Sequence, residues 1–334
     1  MDHVAIDLGG RESQICVRTD DGRVLEEARL ATKGITRWLE QRSPCRLVME
    51  TCAESFAIAD QALLQGHQVR IVPSTLVRSL GVGARRTKND RRDALALSEA
   101  SCRMELPSVH IPSTASRRRK TLCSARDALV SGRTKMINCV RGWLRQSARA
   151  PRRGSAESFA RRVRELLGET IPQPIALLLE SIDQLTAQIR QTDQLLSDEV
   201  KHDPVCVRLM TVPGVGPVTA TRFSAALDVV ERFPDAHTVE SYFGLVPGER
   251  SSGDRVHRLG ITKAGPGAVR TALVQAAWTA RRYSPQDPMV RWCFEVERRR
   301  GKLVAVFALA RKLAGILYAV WRDQSTYDPL RGAK

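Results

Sequence analysis

His3-Val4-Ala5-Ile6-Asp7-Leu8-Gly9-Gly10 opens the chain with an apolar run that ends in an acid and two glycines. A run this short, closed by residues that tolerate a turn, predicts a buried strand. Ser13–Thr19 alternates apolar and polar, Asp20-Asp21-Gly22 supplies a turn, and Val24–Ala28 alternates again. That pattern predicts a hairpin whose glycine takes the left-handed turn position. Helical spacing follows at Ile35–Gln41 and Phe56–Leu64, with short apolar strands at Arg46–Met49 and Val69–Val72, the latter closed by Pro73. Strands interleaved with helices predict an α/β domain with a mixed sheet over residues 1–112.

Two acids occupy matching places in that sheet. Asp7 and Glu50 each stand at the carboxyl end of an apolar strand, where α/β folds build their sites. A helix beginning at Asp90 would carry Asp93 on the same face, because residues three apart are neighbours on a helix. Four carboxylates of this kind can hold Mg²⁺, which prefers oxygen ligands, and two such ions ~4 Å apart can orient a phosphodiester. The alternative for Asp90 and Asp93 is plain dipole complementation at a helix start. Ile6-Asp7-Leu8-Gly9-Gly10 also resembles the first phosphate loop of the sugar-kinase and actin-like ATPases. That fold needs a second Asp-x-Gly loop after a later strand, and the sequence has none where it would fall.

With 334 residues the chain exceeds one ordinary domain. Its 53 Lys and Arg outweigh 36 Asp and Glu, a net charge of +17 that points to a polyanionic partner. Aromatic residues are only 5%, so base-stacking platforms are not advertised. The eight cysteines form no Cys-x-x-Cys pair and read as reduced thiols of a cytoplasmic protein. The N-terminus lacks a signal-peptide pattern, and no apolar run reaches ~18 residues, so no membrane span is expected.

Between Ala115 and Glu165 the composition turns basic, with 15 Lys and Arg against Asp127, Glu157 and Glu165. Arg117-Arg118-Arg119-Lys120 opens this segment and predicts contact with a phosphate backbone, as Lys88 does before the acidic helix. Ile175, Leu178, Ile182, Leu185, Ile189, Thr192 and Leu196 then step by three and four, which predicts a helical hairpin or a self-associating coiled coil over 113–200. Val212-Pro213-Gly214-Val215-Gly216 resembles the turn of a helix-hairpin-helix motif, whose glycines (here Gly214 and Gly216) let backbone N–H groups approach a phosphate. Apart from one loop, 201–334 is expected to be helical. That loop carries Ser251-Ser252-Gly253 with Arg250, Arg255, Arg258 and Lys263 around it. Serine is a weak nucleophile that needs activation, and clustered guanidinium groups suit a phosphate; the alternative is a solvated turn.

In combination these stretches resemble the insertion-sequence transposases that join an N-terminal RuvC-like acidic domain to a C-terminal serine-bearing domain, relatives of the pilin-gene invertases. The resemblance spans essentially the whole chain. It rests on Ala5-Ile6-Asp7, Val48-Met49-Glu50, Lys88–Ala94, Val212–Gly216, Gly244-Leu245-Val246-Pro247, Ser251-Ser252-Gly253, Ile261–Gly265 and Tyr327-Asp328-Pro329. It departs at Thr51-Cys52-Ala53, where such proteins often carry Ala-Thr-Gly, and this touches packing beside Glu50.

The resemblance implies an RNase H-like mixed-sheet domain, a helical and coiled-coil arm, and a helical transposase domain. It implies a metal-binding tetrad of Asp7, Glu50, Asp90 and Asp93 with Mg²⁺ as cofactor. The nucleophile falls on Ser252, with Ser251 as the second candidate. The implied partners are DNA, a bridge RNA encoded in the element, and further copies of the chain, as a dimer or as a tetramer in the synaptic complex. The active site would combine acids of one copy with the serine of another, in a bacterial, nucleoid-associated protein. Two other readings of the same residues are a RuvC-like nuclease that uses water, and a non-catalytic nucleic-acid-binding protein.

Overall fold

The computed structural model describes residues 1–79, 90–252 and 255–330, with the side chains of 77–79, 90, 251, 252 and 255–258 outside the description. The chain divides into two units, Met1–Pro112 and Ser113–Lys334.

Unit 1 runs β1 (His3–Asp7), β2 (Glu12–Arg18), β3 (Val24–Ala31), α1 (Ile35–Glu40), β4 (Arg46–Glu50), α2 (Ser55–Leu64), β5 (Gln68–Val72), α3 (Ser74–Ser79) and α4 (Asp90–Arg103). The strands form one sheet in the order β3-β2-β1-β4-β5. The first three are antiparallel, while β1, β4 and β5 are parallel, which is the expected mixed sheet. Gly22 takes φ +89° in the β2–β3 turn, as the Asp-Asp-Gly triplet requires. Gly9 serves the β1–β2 turn: a Cβ there would lie 2.3 Å from the Glu12 carbonyl oxygen. Alternation along the strands sends Val4, Ile6, Leu47 and Met49 to one face, packed with Leu39 and Ile58 of α1 and α2. Ala5, Val48 and Val72 go to the other, under Leu97 and Ala100 of α4.

Unit 2 runs α5 (Thr114–Gln146), α6 (Phe159–Leu167), α7 (Gln173–Lys201), α8 (Pro204–Leu209), α9 (Pro217–Leu227), α10 (Ala236–Tyr242), β6 (Pro247–Ser252), β7 (Arg255–Ile261), α11 (Gly267–Tyr283), α12 (Pro288–Arg300) and α13 (Lys302–Arg322). α5 and α7 lie antiparallel as a helical hairpin, with α6 closing its far end over Ile137, Val140, Leu144, Ile175 and Leu179. The heptad stripe of α7 is buried at Ile175, Ile182, Ile189, Thr192 and Leu196 within this unit. Within the unit the stripe packs against α5 as a helical hairpin.

The expectation of an all-helical second domain with a serine loop is corrected. The stretch forms the antiparallel hairpin β6–β7, in which Ser252 stands opposite Arg255. In the sequence, Gly253-Asp254 between two such segments is a hairpin signal; the two residues themselves lie outside the described ones. α13 is the central helix, buried at Val306, Leu309, Leu313, Leu317 and Tyr318. Leu303 and Val304, in its first turn, are exposed. At 21 residues α13 is long and apolar enough to cross a bilayer, contrary to the expectation from run length, but half of its most apolar window is buried in the unit.

Candidate metal and nucleic-acid sites

Ile6 of β1 pairs in register with Met49 of β4, so Asp7 and Glu50 follow on adjacent parallel strands. They lie two residues beyond Ala5 and Val48, and so share the sheet face that α4 covers. α4 runs against β1. Its Ser101 Oγ meets His3 Nδ1 at 2.7 Å, at the start of the strand. One turn earlier, Ser98 Oγ accepts from Arg18 Nε at 2.8 Å and donates to Cys16 Sγ at 3.1 Å. Earlier still, Asp93 is one turn from Leu97 on the packed face, toward the Asp7 end of the strand. Asp7, Glu50 and Asp93 are all half-buried. α4 begins at Asp90, whose side chain lies outside the described residues. Among the described residues no three His, Cys, Asp or Glu side chains converge closely enough to hold a metal ion. The donor set itself is all carboxylate, which suits a hard divalent cation.

After β4 the chain leaves in a fixed direction. Thr51 donates through N and Oγ1 to the Val72 carbonyl, at 3.0 and 3.1 Å. Ser55 Oγ accepts from Cys52 N at 3.3 Å and turns the chain into α2. Burial raises the Cys52 thiol above its ordinary pKa, so this neighbour of Glu50 is a packing group and not a thiolate.

The serine hairpin is set on a tight base. Gly244 has φ +64° and a Cβ there would meet Ala264 N at 2.4 Å; Gly265 has φ +65° and a Cβ would meet the Tyr242 carbonyl at 2.0 Å. Glycine is required at both, by conformation and by space. Lys263 N donates to the Gly244 carbonyl at 3.1 Å and Thr262 N to that of Val246 at 3.0 Å. Arg270 Nη1 bonds the carbonyls of Phe243 and Ala264, each at 2.8 Å. Arg270 was not legible as part of this base, because its partners are main-chain groups. Arg250 and Lys263 are exposed. The side chains of Ser251, Ser252, Arg255 and Arg258 lie outside the described residues, as does Lys88 entirely.

At the helix-hairpin-helix-like turn the two glycines part company. Gly214 has φ +84°, and a Cβ there would lie 2.2 Å from the Ala276 carbonyl, so it serves close packing on α11. Gly216 begins α9 and a Cβ there would meet nothing within 4 Å. The leading arginines of α5 also divide. Arg118 Nη2 lies 2.5 Å from Glu199 Oε2, and Arg119 bonds Glu199 at 3.1 Å and pairs with Asp203. The acids that answer them belong to α7 and the start of α8, beyond the segment whose charge was counted. Arg117 is half-buried and Lys120 is exposed.

The chain is similar to two family models. One, described as "Transposase IS116/IS110/IS902 family", matches residues 206–289; the other, a DEDD-type transposase model, matches residues 4–148. Among similar proteins, the transposase for insertion sequence element IS1328 of Yersinia enterocolitica is 29% identical, over 97% of this chain and 98% of its own length. The transposase for element IS1111A of Coxiella burnetii is 26% identical, over 97% of this chain and 90% of its own.

Proposed function

We propose that the chain is an insertion-sequence transposase of the IS116/IS110/IS902 kind, whose models match residues 206–289 and 4–148, and that it cuts and rejoins DNA through a covalent link to Ser252. The observation that carries the acidic half of this reading is the register of β1 and β4. It sets Asp7 beside Glu50 at the carboxyl ends of parallel strands, on the face covered by the helix that starts at Asp90. The strand order β3-β2-β1-β4-β5, with acids on its two central parallel strands, supports a RuvC-like identity for unit 1.

In the reaction the Ser252 hydroxyl attacks a DNA phosphorus and the bond to a deoxyribose oxygen breaks. The serine proton is lost as the departing oxygen gains one. Arg250, Arg255, Arg258 and Lys263 neutralise the phosphate oxygens. Asp7, Glu50, Asp90 and Asp93 would hold a divalent cation, for which we assign Mg²⁺; it supplies further charge neutralisation at the phosphate. Attack by a deoxyribose hydroxyl of a second strand on the phosphoserine rejoins the DNA, with the phosphodiester energy conserved in the covalent bond. Exposed Lys120 and the open start of α9 at Gly216 suit phosphate contact. The reading includes a bridge RNA as guide and a homo-oligomer that brings two DNA sites together.

The test is Ser252→Ala, incubated with DNA carrying an element end and a divalent cation, and read on a denaturing gel. The expected result is no protein–DNA adduct and no strand exchange, with DNA affinity within twofold of the native chain. An adduct in this variant that disappears in Ser251→Ala would move the nucleophile by one residue. Hydrolysed DNA with no adduct from the native chain would replace serine by water.

A further inference from the structure

The bases between Ala115 and Glu165 are sorted by their place along the α5–α7 hairpin. Near its base, Arg118, Arg119 and Arg126 are paired with Glu199, Asp203 and Asp193. Midway, buried Arg133 reaches Glu157 at 3.2 Å and Thr186 Oγ1 at 3.4 Å. At the far end Arg161 and Arg164 of α6 still pair with Glu165 and Asp183, while six further arginines gather in one place. Arg141, Arg145, Arg149, Arg152, Arg153 and Arg162 line one cleft of about 320 Å³, whose other lining residues are apolar or glycine. Among the described residues no carboxylate lines it.

The cleft has a made floor and wall. Phe159 is fully buried beneath it, with the guanidinium carbons of Arg141 and Arg162 at 5.3 and 6.0 Å from its ring centroid. Arg162 is held by the Ser155 carbonyl at 3.0 Å and by Ser158 Oγ, and its buried Nε has no hydrogen-bond partner. Gly154 lets the chain close over that group, since a Cβ there would lie 2.4 Å from Arg162 Nη1. Ala148, at φ +49°, turns the chain so that Arg149 N reaches the Leu144 carbonyl at 3.0 Å and Arg149–Arg153 fold back over the end of α5.

Cations at a helix C-terminus complement its dipole, which accounts for Arg145 alone. Six guanidinium groups around one cleft repel one another, and a polyanion relieves that repulsion. Guanidinium forks match phosphate oxygens bidentately, and with Phe159 sealed there is no ring for a base to stack on. We propose that this cleft at the far end of the arm binds the phosphate backbone of a nucleic acid, without reading its sequence.

The proposal rests on the reading of the chain as a polynucleotide-acting enzyme. It is tested on the full chain by replacing exposed Arg149, Arg152 and Arg153 together with Ala. The control is Arg29→Ala, Arg70→Ala, Arg103→Ala, which removes three arginines paired with Glu12, Glu105 and Glu99 and so the same formal charge. Binding is titrated by fluorescence anisotropy against a DNA duplex and a structured transcript, at several salt concentrations. Each lost phosphate contact lowers the slope of log K against log salt by roughly 0.7–0.9, so the arm variant should lose about 2–3 units of slope and the control under 1. Loss with the duplex alone assigns the cleft to DNA, with the transcript alone to RNA, and with both to either backbone. Unchanged slopes on both probes, or an equal loss in the control, overturn the proposal. The charge-preserving triple Arg→Lys variant should retain the native slope, and its failure to do so would mean a structural role. Because slopes are read without strand exchange, failure of Ser252 as nucleophile leaves this outcome intact. A native chain that binds neither probe would defeat both readings.

Discussion

Arg119 and Arg152 look alike in the sequence and differ in what they do. Arg119 is mostly buried between Glu199 and Asp203, whose side chains are 13% and 10% exposed, so its charge is spent inside the molecule. Removing it leaves Glu199 to Arg118 alone and takes from part-buried Asp203 its guanidinium partner. We therefore expect Arg119→Ala to lower stability by about 1–3 kcal/mol, measured by urea unfolding. The salt slope of nucleic-acid binding should barely change. A slope loss of a full unit with unchanged stability would return Arg119 to the phosphate-binding set. Charge counting along the sequence could not make this distinction, because the answering acids lie about 70–85 positions away and only folding brings them across. Asp7 and Glu50 were legible for the opposite reason. A strand's end is a local feature, visible as the point where an apolar run meets an acid.

At the scale of elements, period 2 and period 3.6 carried the reading of unit 1, and its strands lie within about three residues of where alternation placed them. The β6–β7 hairpin escaped because Arg250, Ser251 and Ser252 on one strand and Arg255, His257 and Arg258 on the other hide any alternation of apolar and polar residues. Only the Gly253-Asp254 turn pair remained as a signal. The coiled-coil stripe on α7 was legible as a stripe, but a sequence pattern does not say which helix covers it. The helix that leads into the serine hairpin, α10, is capped by Asp235, whose carboxylate accepts from Thr238 N at 2.7 Å and Thr238 Oγ1 at 2.9 Å. These bonds, the backbone one foremost, hold the Asp235 carboxyl below its ordinary 3.8. A depressed folded pKa means stability present above 3.8 and lost as the pH falls through the folded value. Asp235→Ala should thus lower Tm at pH 7, and the deficit should shrink as both proteins are acidified below pH ~3.8. A deficit that stays constant to pH ~2 would show that the carboxylate's charge is not what the cap uses.

On the scale of the molecule, each unit has its own core. One is the sheet face built on Val4, Ile6, Leu47 and Met49; the other is packed around α13 at Leu309, Leu313 and Leu317. Chains with separate cores commonly depart from a single all-or-none transition. Met49→Ala and Leu313→Ala should each cost about 2–5 kcal/mol in the core they belong to. In scanning calorimetry they are expected to move different components of the endotherm. Equal movement of one common transition by both variants would mean that the units unfold as one.

The attachment of α4 has a mechanical consequence. The helix is pinned at Ser98 and Ser101, through Arg18, Cys16 and His3, while Asp93 and Asp90 stand toward the opposite end, about 12 and 16 Å from Ser101 at ~1.5 Å per residue. This is a lever with its fulcrum far from its working tip, so a small rotation at two hydroxyls is multiplied at Asp93 and Asp90. In the proposed site, alignment of the carboxylates would therefore depend in part on serines that stand well away from it.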